Sequence, residues 1–404
     1  MAQTALSVVV LGGTAFSLGG PAQAADVLEQ IQQVAGGSAW GYVSTSDMFH
    51  IDSGSGYVAA PSTQAGSSNY GSVDVRRQAG SAHKYTVRFA GLGAQQDQVM
   101  PGVVHVTKSL YQVPSPGTSL NSNGDCIPSS PYSSDGDLLV DVRCYDRDNR
   151  PDMNANFALT YAQGAGIEGA GDRTIVRVDN PPAPLETAPV QPPVQASTTG
   201  QPAKVLTAGE WGSYIVKLPV LAGPSSFTVT AIGDSGSDKS CNLGSTAVVF
   251  GSPAVQEVRI KCFNPRTGAP VTSGFSLTHV AQTNLVGARS RLSAAHVWVP
   301  LVPVSDDVTS PSIRYNRIYG AESGQVLVLH AAKGKYSVLL GNQQWSISHS
   351  PIVMVTAQQS TASCLVEPTN HIQNGPFQTA FIVCRDGQRN YVDTGFHLAF
   401  MATQ

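Results

Sequence analysis

The stretch VDVRC at residues 140–144 decides the fold, because the same pattern returns as VRIKC at 258–262 and as AFIVC at 380–384. In each stretch an aliphatic residue occupies every second position, and the final cysteine falls in the same phase. A period of two places alternate side chains on one face of a β-strand. Each stretch therefore predicts a half-buried strand whose last sulfur points into a hydrophobic core.

The elements around these strands recur in the same order. A Tyr-x-Val strand comes first, followed by a strand that ends in Thr, a loop cysteine, the stretch quoted above and a closing strand that begins with Phe. The marker residues are Tyr85, Tyr214 and Tyr336, then Thr107, Thr230 and Thr356, then Cys126, Cys241 and Cys364, and finally Phe157, Phe275 and Phe396. The second cysteines lie 118 and 122 residues apart, a period typical of whole domains.

These patterns predict an all-β chain of three tandem antiparallel β-sandwich repeats of immunoglobulin-like (Ig-like) type. The predicted repeats, called copies 1, 2 and 3 below, span residues 38–162, 173–282 and 290–404, with opening strands at 39–43, 174–178 and 296–299. The Pro-rich stretch at 180–202 in copy 2 is a long loop or a polyproline spacer. The strand predicted just before this stretch favours the loop.

The six cysteines predict one disulfide within each copy. Fifteen pairings are possible for six cysteines, but the second cysteine of each copy points inward and has a loop cysteine 18, 21 or 20 residues before it. The predicted pairs are Cys126 with Cys144, Cys241 with Cys262, and Cys364 with Cys384. Closing a loop of this length stabilises a fold by about 3 kcal/mol on the chain-entropy model.

Composition and charge exclude several classes of protein. Charged residues make up 13% of the chain, and Gly (40) and Pro (26) are abundant, which disfavours coiled coils and helical bundles. The net charge of −3 offers no basic surface for nucleic acid. No zinc motif, phosphate loop or dinucleotide fingerprint is present, so we expect no cofactor.

The N-terminus predicts export from the cytoplasm. An apolar run at residues 5–18 precedes the small-x-small sequence AQA at 22–24, which is typical of a signal peptide over 1–24; the alternative is a buried N-terminal strand. Apolar residues at helical spacing predict a short helix within 25–37. We therefore expect a secreted or extracytoplasmic protein, at the cell surface or in the periplasm, with oxidised cysteines and no integral membrane segment after cleavage.

The order Tyr-x-Val, Thr-ending strand, Cys, Val-x-Val-x-Cys and Phe-x-Leu resembles an uncharacterised family of secreted bacterial proteins. The resemblance covers nearly all of the chain after the predicted signal peptide, and the spacing of cysteines and strands is its most specific part. It implies a bacterial extracytoplasmic protein built from β-sandwich repeats, and it implies no activity.

Three motifs suggest chemistry, and each has a structural explanation. The segments GDSG at 233–236 and SAAH at 293–296 are similar to the serine and histidine segments of trypsin-like proteases. The order of the two segments is reversed relative to that family, however, and a turn explains the first one. Asp146, Asp148 and Asp152 have the spacing of some calcium loops but lack an EF-hand's central Gly and terminal Glu, so a solvated turn is favoured. His279 is expected to pack in the core or at a strand end.

Three functions from different classes remain open. The first is a non-catalytic structural or interaction protein that presents loops to an unknown extracellular partner or to another copy of itself. The second is a carbohydrate-binding adhesin or lectin-like module that uses exposed Trp and Tyr, although packing roles are favoured for Trp40 and Trp298. The third is a secreted hydrolase, which repetition disfavours because tethered binding domains gain avidity from being repeated.

Overall fold

A computed structural model gives the fold of the chain. It describes residues 39–45, 56–61, 65–81, 83–94, 97–109, 125–146, 150–152, 155–164, 171–181, 192, 194–223, 225–233, 239–286, 292–301, 308–309, 313–318, 321–322, 325–341, 352–367 and 377–403. The predicted signal peptide and the predicted N-terminal helix lie outside the described residues. Ser38–Gln404 form one compact unit.

The prediction of an all-β chain is confirmed, since the described residues form 28 strands and no helix. Copy 1 contains β1 (Trp40–Ser44), β2 (Val58–Ala59), β3 (Ala65–Ser67), β4 (Val73–Arg77), β5 (Lys84–Phe89), β6 (Val103–Ser109), β7 (Cys126–Pro128), β8 (Tyr132–Ser134), β9 (Asp137–Cys144) and β10 (Asn156–Ala162). Copy 2 contains β11 (Asp172–Val178), β12 (Val194–Ser197), β13 (Lys204–Thr207), β14 (Ser213–Pro219), β15 (Ser225–Ile232), β16 (Ser240–Val249), β17 (Val255–Phe263) and β18 (Gly274–Ala281).

Copy 3 contains β19 (Leu292–Val299), β20 (Val308–Thr309), β21 (Ile313–Ile318), β22 (Ala321–Glu322), β23 (Val326–Ala332), β24 (Lys335–Gly341), β25 (Ile352–Gln358), β26 (Ser363–Glu367), β27 (Phe377–Arg385) and β28 (Gly395–Thr403). In the part of the chain that the structure covers, no helix has the length and hydrophobicity needed to cross a membrane.

Each copy divides its strands between two sheets, in a β-sandwich-like arrangement. We call the sheets that contain the closing strands β10, β18 and β28 the inner sheets, and those that contain the second cysteines the outer sheets. The inner sheets have the strand orders β3-β1-β10-β6, β12-β11-β18-β15 and β22-β21-β19-β28-β25. The outer sheets have the orders β2-β4-β5-β9-β7, β13-β14-β17-β16 and β20-β23-β24-β27-β26. The end of the Pro-rich stretch forms β12, which pairs with the strand β11 that precedes the stretch.

Three hydrophobic clusters fill the space between the inner and outer sheets of the copies. In copy 1, Val43 and Phe157 of the inner sheet pack in one cluster with Val87 and Val140 of the outer sheet. The corresponding clusters join Val176 and Phe275 with Val216 and Val258 in copy 2, and Val297 and Phe396 with Val338 and Ile382 in copy 3. The alternating residues that define the sequence pattern therefore form these cores.

The outer sheet of one copy continues into the inner sheet of the next. Strand β16 of copy 2 pairs in parallel with β25 of copy 3 at Leu243 and Gln358, and β26 of copy 3 pairs in parallel with β6 of copy 1 at Val366 and Ser109. Each junction completes a nine-stranded sheet made from two copies. At the third junction the Gly233 N–H donates to the carbonyl of Pro128 at 3.2 Å, which links copy 2 to copy 1. The copies thus contact one another cyclically.

A fourth hydrophobic cluster lies where the three inner sheets meet. It contains buried residues from every copy: Trp40, Tyr42 and Ala158 from copy 1, Val280, Leu285 and Val286 from copy 2 or its C-terminal edge, and Ile352, Met354, Ala399 and Met401 from copy 3. Tandem sandwiches need not share a core, so the repeat pattern alone does not predict this cluster. The copies are consequently joined by apolar packing as well as by strand pairing.

The disulfides are Cys126–Cys144, Cys241–Cys262 and Cys364–Cys384. In each, the two cysteines face each other on neighbouring antiparallel strands of an outer sheet. The second cysteine of each pair is 0% or 1% exposed, so its sulfur points into the core as the alternation predicts. All six cysteines are bonded in this way.

Candidate functional site

Three equivalent threonines, each two residues before the end of its strand, bind the next copy. Each hydroxyl oxygen lies within hydrogen-bond distance of a nitrogen from a neighbouring inner sheet. The contacts are Val355 N–H to Thr107 Oγ1 at 3.2 Å, Val229 N–H to Thr356 Oγ1 at 3.0 Å, and His105 Nδ1 with Thr230 Oγ1 at 3.1 Å. The recurring threonine of the sequence pattern therefore lies at a junction between copies.

A cavity of about 50 Å³ lies next to these threonines, and all three copies line it. Its walls come from two sets of equivalent segments, the ends of the Thr strands and the residues around the first cysteines. The lining includes Thr107, Lys108, Thr230, Ala231, Thr356 and Ala357 from the first set, and Asp125, Lys239, Ser240, Asn242 and Ser363 from the second. We call this space the central cavity.

Lys108 brings a positive charge into the interior beside the central cavity. Its side chain is 0% exposed, and Nζ binds the Asp152 carboxylate at 2.6 Å and the Tyr145 carbonyl at 2.7 Å. Burial lowers the pKa of the Lys108 ammonium, and the nearby Asp152 carboxylate opposes this effect. The equivalent residues of the other copies are Ala231 and Ala357, so this ion pair is specific to copy 1.

The residues immediately before the first cysteines meet across the copies. Asp125 of copy 1 accepts hydrogen bonds from the Ser363 hydroxyl of copy 3, at 3.0 and 3.3 Å to its two oxygens, and Ser240 of copy 2 lines the cavity beside it. Burial raises the pKa of the Asp125 carboxyl, and the hydroxyls of Ser363 and Ser240 partly offset that rise by stabilising the charged form. One carboxylate of copy 1 therefore binds copy 3 and lies close to copy 2.

Most polar side chains around the central cavity are thus bound to other groups of the chain. Asn242 likewise donates to the carbonyls of Ser360 and Ala362 at 3.0 and 2.7 Å, which joins copy 2 to copy 3. A space of about 50 Å³ holds a few water molecules. The arrangement is suited to fixing three copies together through a polar joint.

Histidines form a second buried polar group at the junctions. His105 places its two ring nitrogens 3.1 Å from Thr230 Oγ1 and 2.7 Å from Thr278 Oγ1, whereas His397 places Nδ1 3.0 Å from Ser226 Oγ. Burial lowers the pKa of His105 and of His397 to about 3. Both rings are therefore neutral at pH 7 and act as hydrogen-bonding groups of the interface.

His279 is buried, as the sequence predicts, at the end of the core of copy 2. Its ring stacks on Phe227 with the centroids 4.2 Å apart, and neither ring nitrogen has a hydrogen-bond partner within the described chain. Burial, and secondarily the charge of His296, lowers its pKa to about 3. The described residues contain no group of three His, Cys, Asp or Glu placed to bind a metal ion.

Two of the calcium candidates, Asp146 and Asp152, follow β9 in the described part of the chain. Asp146 Oδ1 accepts the N–H of Arg150 at 2.8 Å, and Asp152 binds Lys108, while Asp148 lies outside the described residues. The equivalent turns use Asn264 Oδ1 and Asp386 Oδ1 to accept backbone N–H groups in the same way. A shared turn therefore accounts for Asp146 without a metal ion.

Of the two protease-like segments, the structure describes the histidine but not the serine. Ser235 lies outside the described residues, and His296 is 1% exposed within β19. A catalytic histidine has to reach both the serine and the substrate. The burial of His296 therefore favours a packing role.

Aromatic residues divide into packed and exposed members. Trp40 is buried against Tyr42, and Trp298 stacks on His397 and donates from Nε1 to Gln358 Oε1. Trp211, by contrast, is 64% exposed in the turn between β13 and β14. Trp345 lies outside the described residues.

Sequence reasoning missed the central cavity. Lys108 is one polar residue at the end of an apolar strand, and its partner Asp152 was assigned to a possible calcium turn. The signal that was present is that Thr107, Thr230 and Thr356 recur at equivalent positions although a β-strand does not require threonine there. A recurrent polar residue on the face away from a repeat's own core indicates a contact between repeats.

Comparisons of the chain with protein-family models, with curated proteins and with solved structures find no match in any of the three. The resemblance to a family of secreted bacterial proteins consequently stays a prediction.

Proposed function

We propose that the protein is an extracytoplasmic, non-catalytic structural or interaction protein made of three Ig-like sandwich repeats. The observation that carries this proposal is the continuity of the sheets across copies, at the β16–β25 and β26–β6 pairings. Strand pairing, a shared apolar cluster and buried hydrogen bonds fix the copies rigidly together. A rigid β scaffold of this kind is suited to presenting loops and hairpins to a partner.

The bonding of the central cavity also supports a structural role. A catalytic site needs polar groups that are free to meet a substrate, whereas Lys108, Asp125 and Asn242 are each bound by other copies or by their own turn. The disulfides support an oxidising, extracytoplasmic location.

The proposal is tested on the chain produced with its native N-terminus in a bacterial host. We expect it in the extracytoplasmic fraction, with all three disulfides recovered by mass spectrometry of non-reduced peptides and no labelling by serine-hydrolase probes. Free thiols in freshly isolated protein would contradict the location. Probe labelling that disappears in Ser235→Ala would show that the protein is a hydrolase instead.

Carbohydrate binding is a second candidate, because Trp211 exposes most of its ring at a hairpin turn. Aromatic faces of this kind are suited to packing on sugar rings. A glycan array with wild type and Trp211→Ala decides the matter, with Tyr70→Ala, which removes another highly exposed ring, as the matched control. A glycan signal lost only in Trp211→Ala supports this candidate, and the absence of any signal removes it.

A further inference from the structure

The outer half of the β16–β17 hairpin carries an open strand edge. Strand β16 pairs with β25 at Leu243, and an irregularity in its pairing with β17 follows between Leu243 and Ser245. Beyond it, Ser245–Val249 pair with β17 on one side, and the described chain provides no strand on the other. The unpaired backbone groups of such an edge can bind another strand.

In copy 1 the equivalent edge is covered by an extended segment of the chain itself. Tyr132 forms an antiparallel bridge with Val99, the Ser133 N–H donates to the Gln98 carbonyl at 2.8 Å, and the Met100 N–H donates to the Pro131 carbonyl at 2.8 Å. The covered Ser133 is only 1% exposed. This edge of the fold is therefore able to accept an antiparallel strand.

The register identifies the residues that correspond in copy 2. Tyr132 faces the residue five positions before the second cysteine of copy 1, and Ala247 faces the residue five positions before that of copy 2. Ser133 therefore corresponds to Val248. Val248 is 41% exposed, so no described part of the chain covers the position that is buried in copy 1.

The open edge is also apolar and uncharged. Val249 is 41% exposed and Phe250 is 89% exposed, and residues 240–256 contain no charged side chain. Proteins commonly protect an exposed edge with lysine, proline or a covering segment, whereas Ser245–Val249 contain neither lysine nor proline and pair with no covering strand among the described residues. Burying these valines and Phe250 would stabilise a complex.

We propose that a second copy of this chain pairs with the edge, so that β16 of one molecule and β16 of the other form an antiparallel ladder around a twofold axis. An antiparallel pair of identical strands is self-complementary, since the same residues supply both sides of the contact. The absence of charge removes the like-charge repulsion that such symmetric pairing would otherwise bring. This inference rests on the proposed function, because it identifies a second copy of the chain as one partner of the interaction protein.

The test is sedimentation velocity of the full chain after signal removal, over a wide range of concentrations, with variants of Val248. Val248→Lys places like charges opposite each other across the twofold axis, and Val248→Pro removes the N–H that by its register faces the open edge, a change that an edge strand tolerates. Val220→Lys, at a 39% exposed valine that follows β14 on the side of β17 opposite to the open edge, is the matched control. Thermal unfolding of each variant verifies that it is folded.

We expect a concentration-dependent dimer for wild type and Val220→Lys, and a dissociation constant at least about tenfold weaker for both Val248 variants, because the lysine brings like charges together and the proline leaves a backbone acceptor unpaired. A wild type that stays monomeric at every concentration overturns the proposal, as does a Val248→Lys variant that dimerises like wild type. Either result leaves the proposed function standing with another partner, since that function fails on probe labelling or free thiols instead.

Discussion

Two buried histidines at the junctions differ in how their nitrogens are bonded. His105 has a threonine hydroxyl at each ring nitrogen, whereas both nitrogens of His279 are unbonded within the described chain. The cost of a buried polar group depends on whether it is hydrogen-bonded. Equivalent positions of the closing strand carry Tyr161 in copy 1 and Phe400 in copy 3, so the fold accepts an aromatic ring where copy 2 has His279.

We expect His279→Phe to raise the free energy of unfolding by about 1 kcal/mol at pH 7, because it removes a buried polar group without a partner and keeps the stacking on Phe227. Below pH 6.5 the unfolded chain protonates this histidine while the folded chain, with its pKa near 3, does not. Stability therefore falls with acidification between pH 6.5 and 3, by at most about 1.4 kcal/mol per pH unit for one such histidine. The variant should lose less stability than wild type across this window in urea unfolding.

His105→Phe is the matched control for this substitution. It removes the same polar ring but leaves Thr230 and Thr278 without their partner, so we expect it to be destabilising by about 1–3 kcal/mol at pH 7. Equal stability changes in His105→Phe and His279→Phe would contradict the argument, because the bonding of the ring nitrogens would then have no effect.

At the scale of single elements, a glycine fixes the start of the Tyr-x-Val strand in two copies. Gly212 and Gly334 have φ of +66° and +65°, and their carbonyls accept the N–H of Cys262 and Cys384. A Cβ at Gly212 would lie 2.3 Å from the carbonyl oxygen of Cys262. The backbone thus packs against the disulfide strand at a distance that excludes any side chain.

Gly212→Ala is expected to destabilise the fold by clearly more than the strain of its positive φ alone, which is about 1–2 kcal/mol. Gly209→Ala isolates that strain, since Gly209 has φ of +79° and an added Cβ there meets no atom within 4 Å. Urea unfolding of both variants measures the difference. Similar losses in the two would mean that the close approach to Cys262 has no cost.

The strands could be predicted from the sequence because their signal is local. Alternation around Val140 and Val258 depends only on which face each strand buries. The Leu243–Gln358 and Val366–Ser109 pairings, in contrast, join residues that are far apart in sequence and share no pattern. The Lys108–Asp152 contact could likewise not be predicted, because the two residues lie in different elements that meet only in the folded chain.

At the scale of the whole molecule, no copy has both of its sheets to itself. Copy 3 shares one nine-stranded sheet with copy 1 and another with copy 2, and the cluster around Trp40, Val280 and Met354 is complete only when all three copies are present. A copy on its own would expose this cluster and leave strands β6, β16, β25 or β26 unpaired at its edges. The free energy of unfolding of each copy therefore depends on the presence of the neighbouring copies.

We accordingly expect one cooperative unfolding transition for Ser38–Gln404 by differential scanning calorimetry, with the calorimetric enthalpy close to the van't Hoff enthalpy.

Thr356→Val provides the test of coupling, since it leaves the Val229 N–H of copy 2 without its acceptor and should lower the free energy of unfolding by about 1–3 kcal/mol. Its whole transition should move to lower temperature as a single peak. Thr361→Val, at an exposed threonine in the same copy, is the control and should leave the transition in place. Three separate transitions, or a shift confined to one part of the trace, would show that the copies fold independently in spite of their shared sheets.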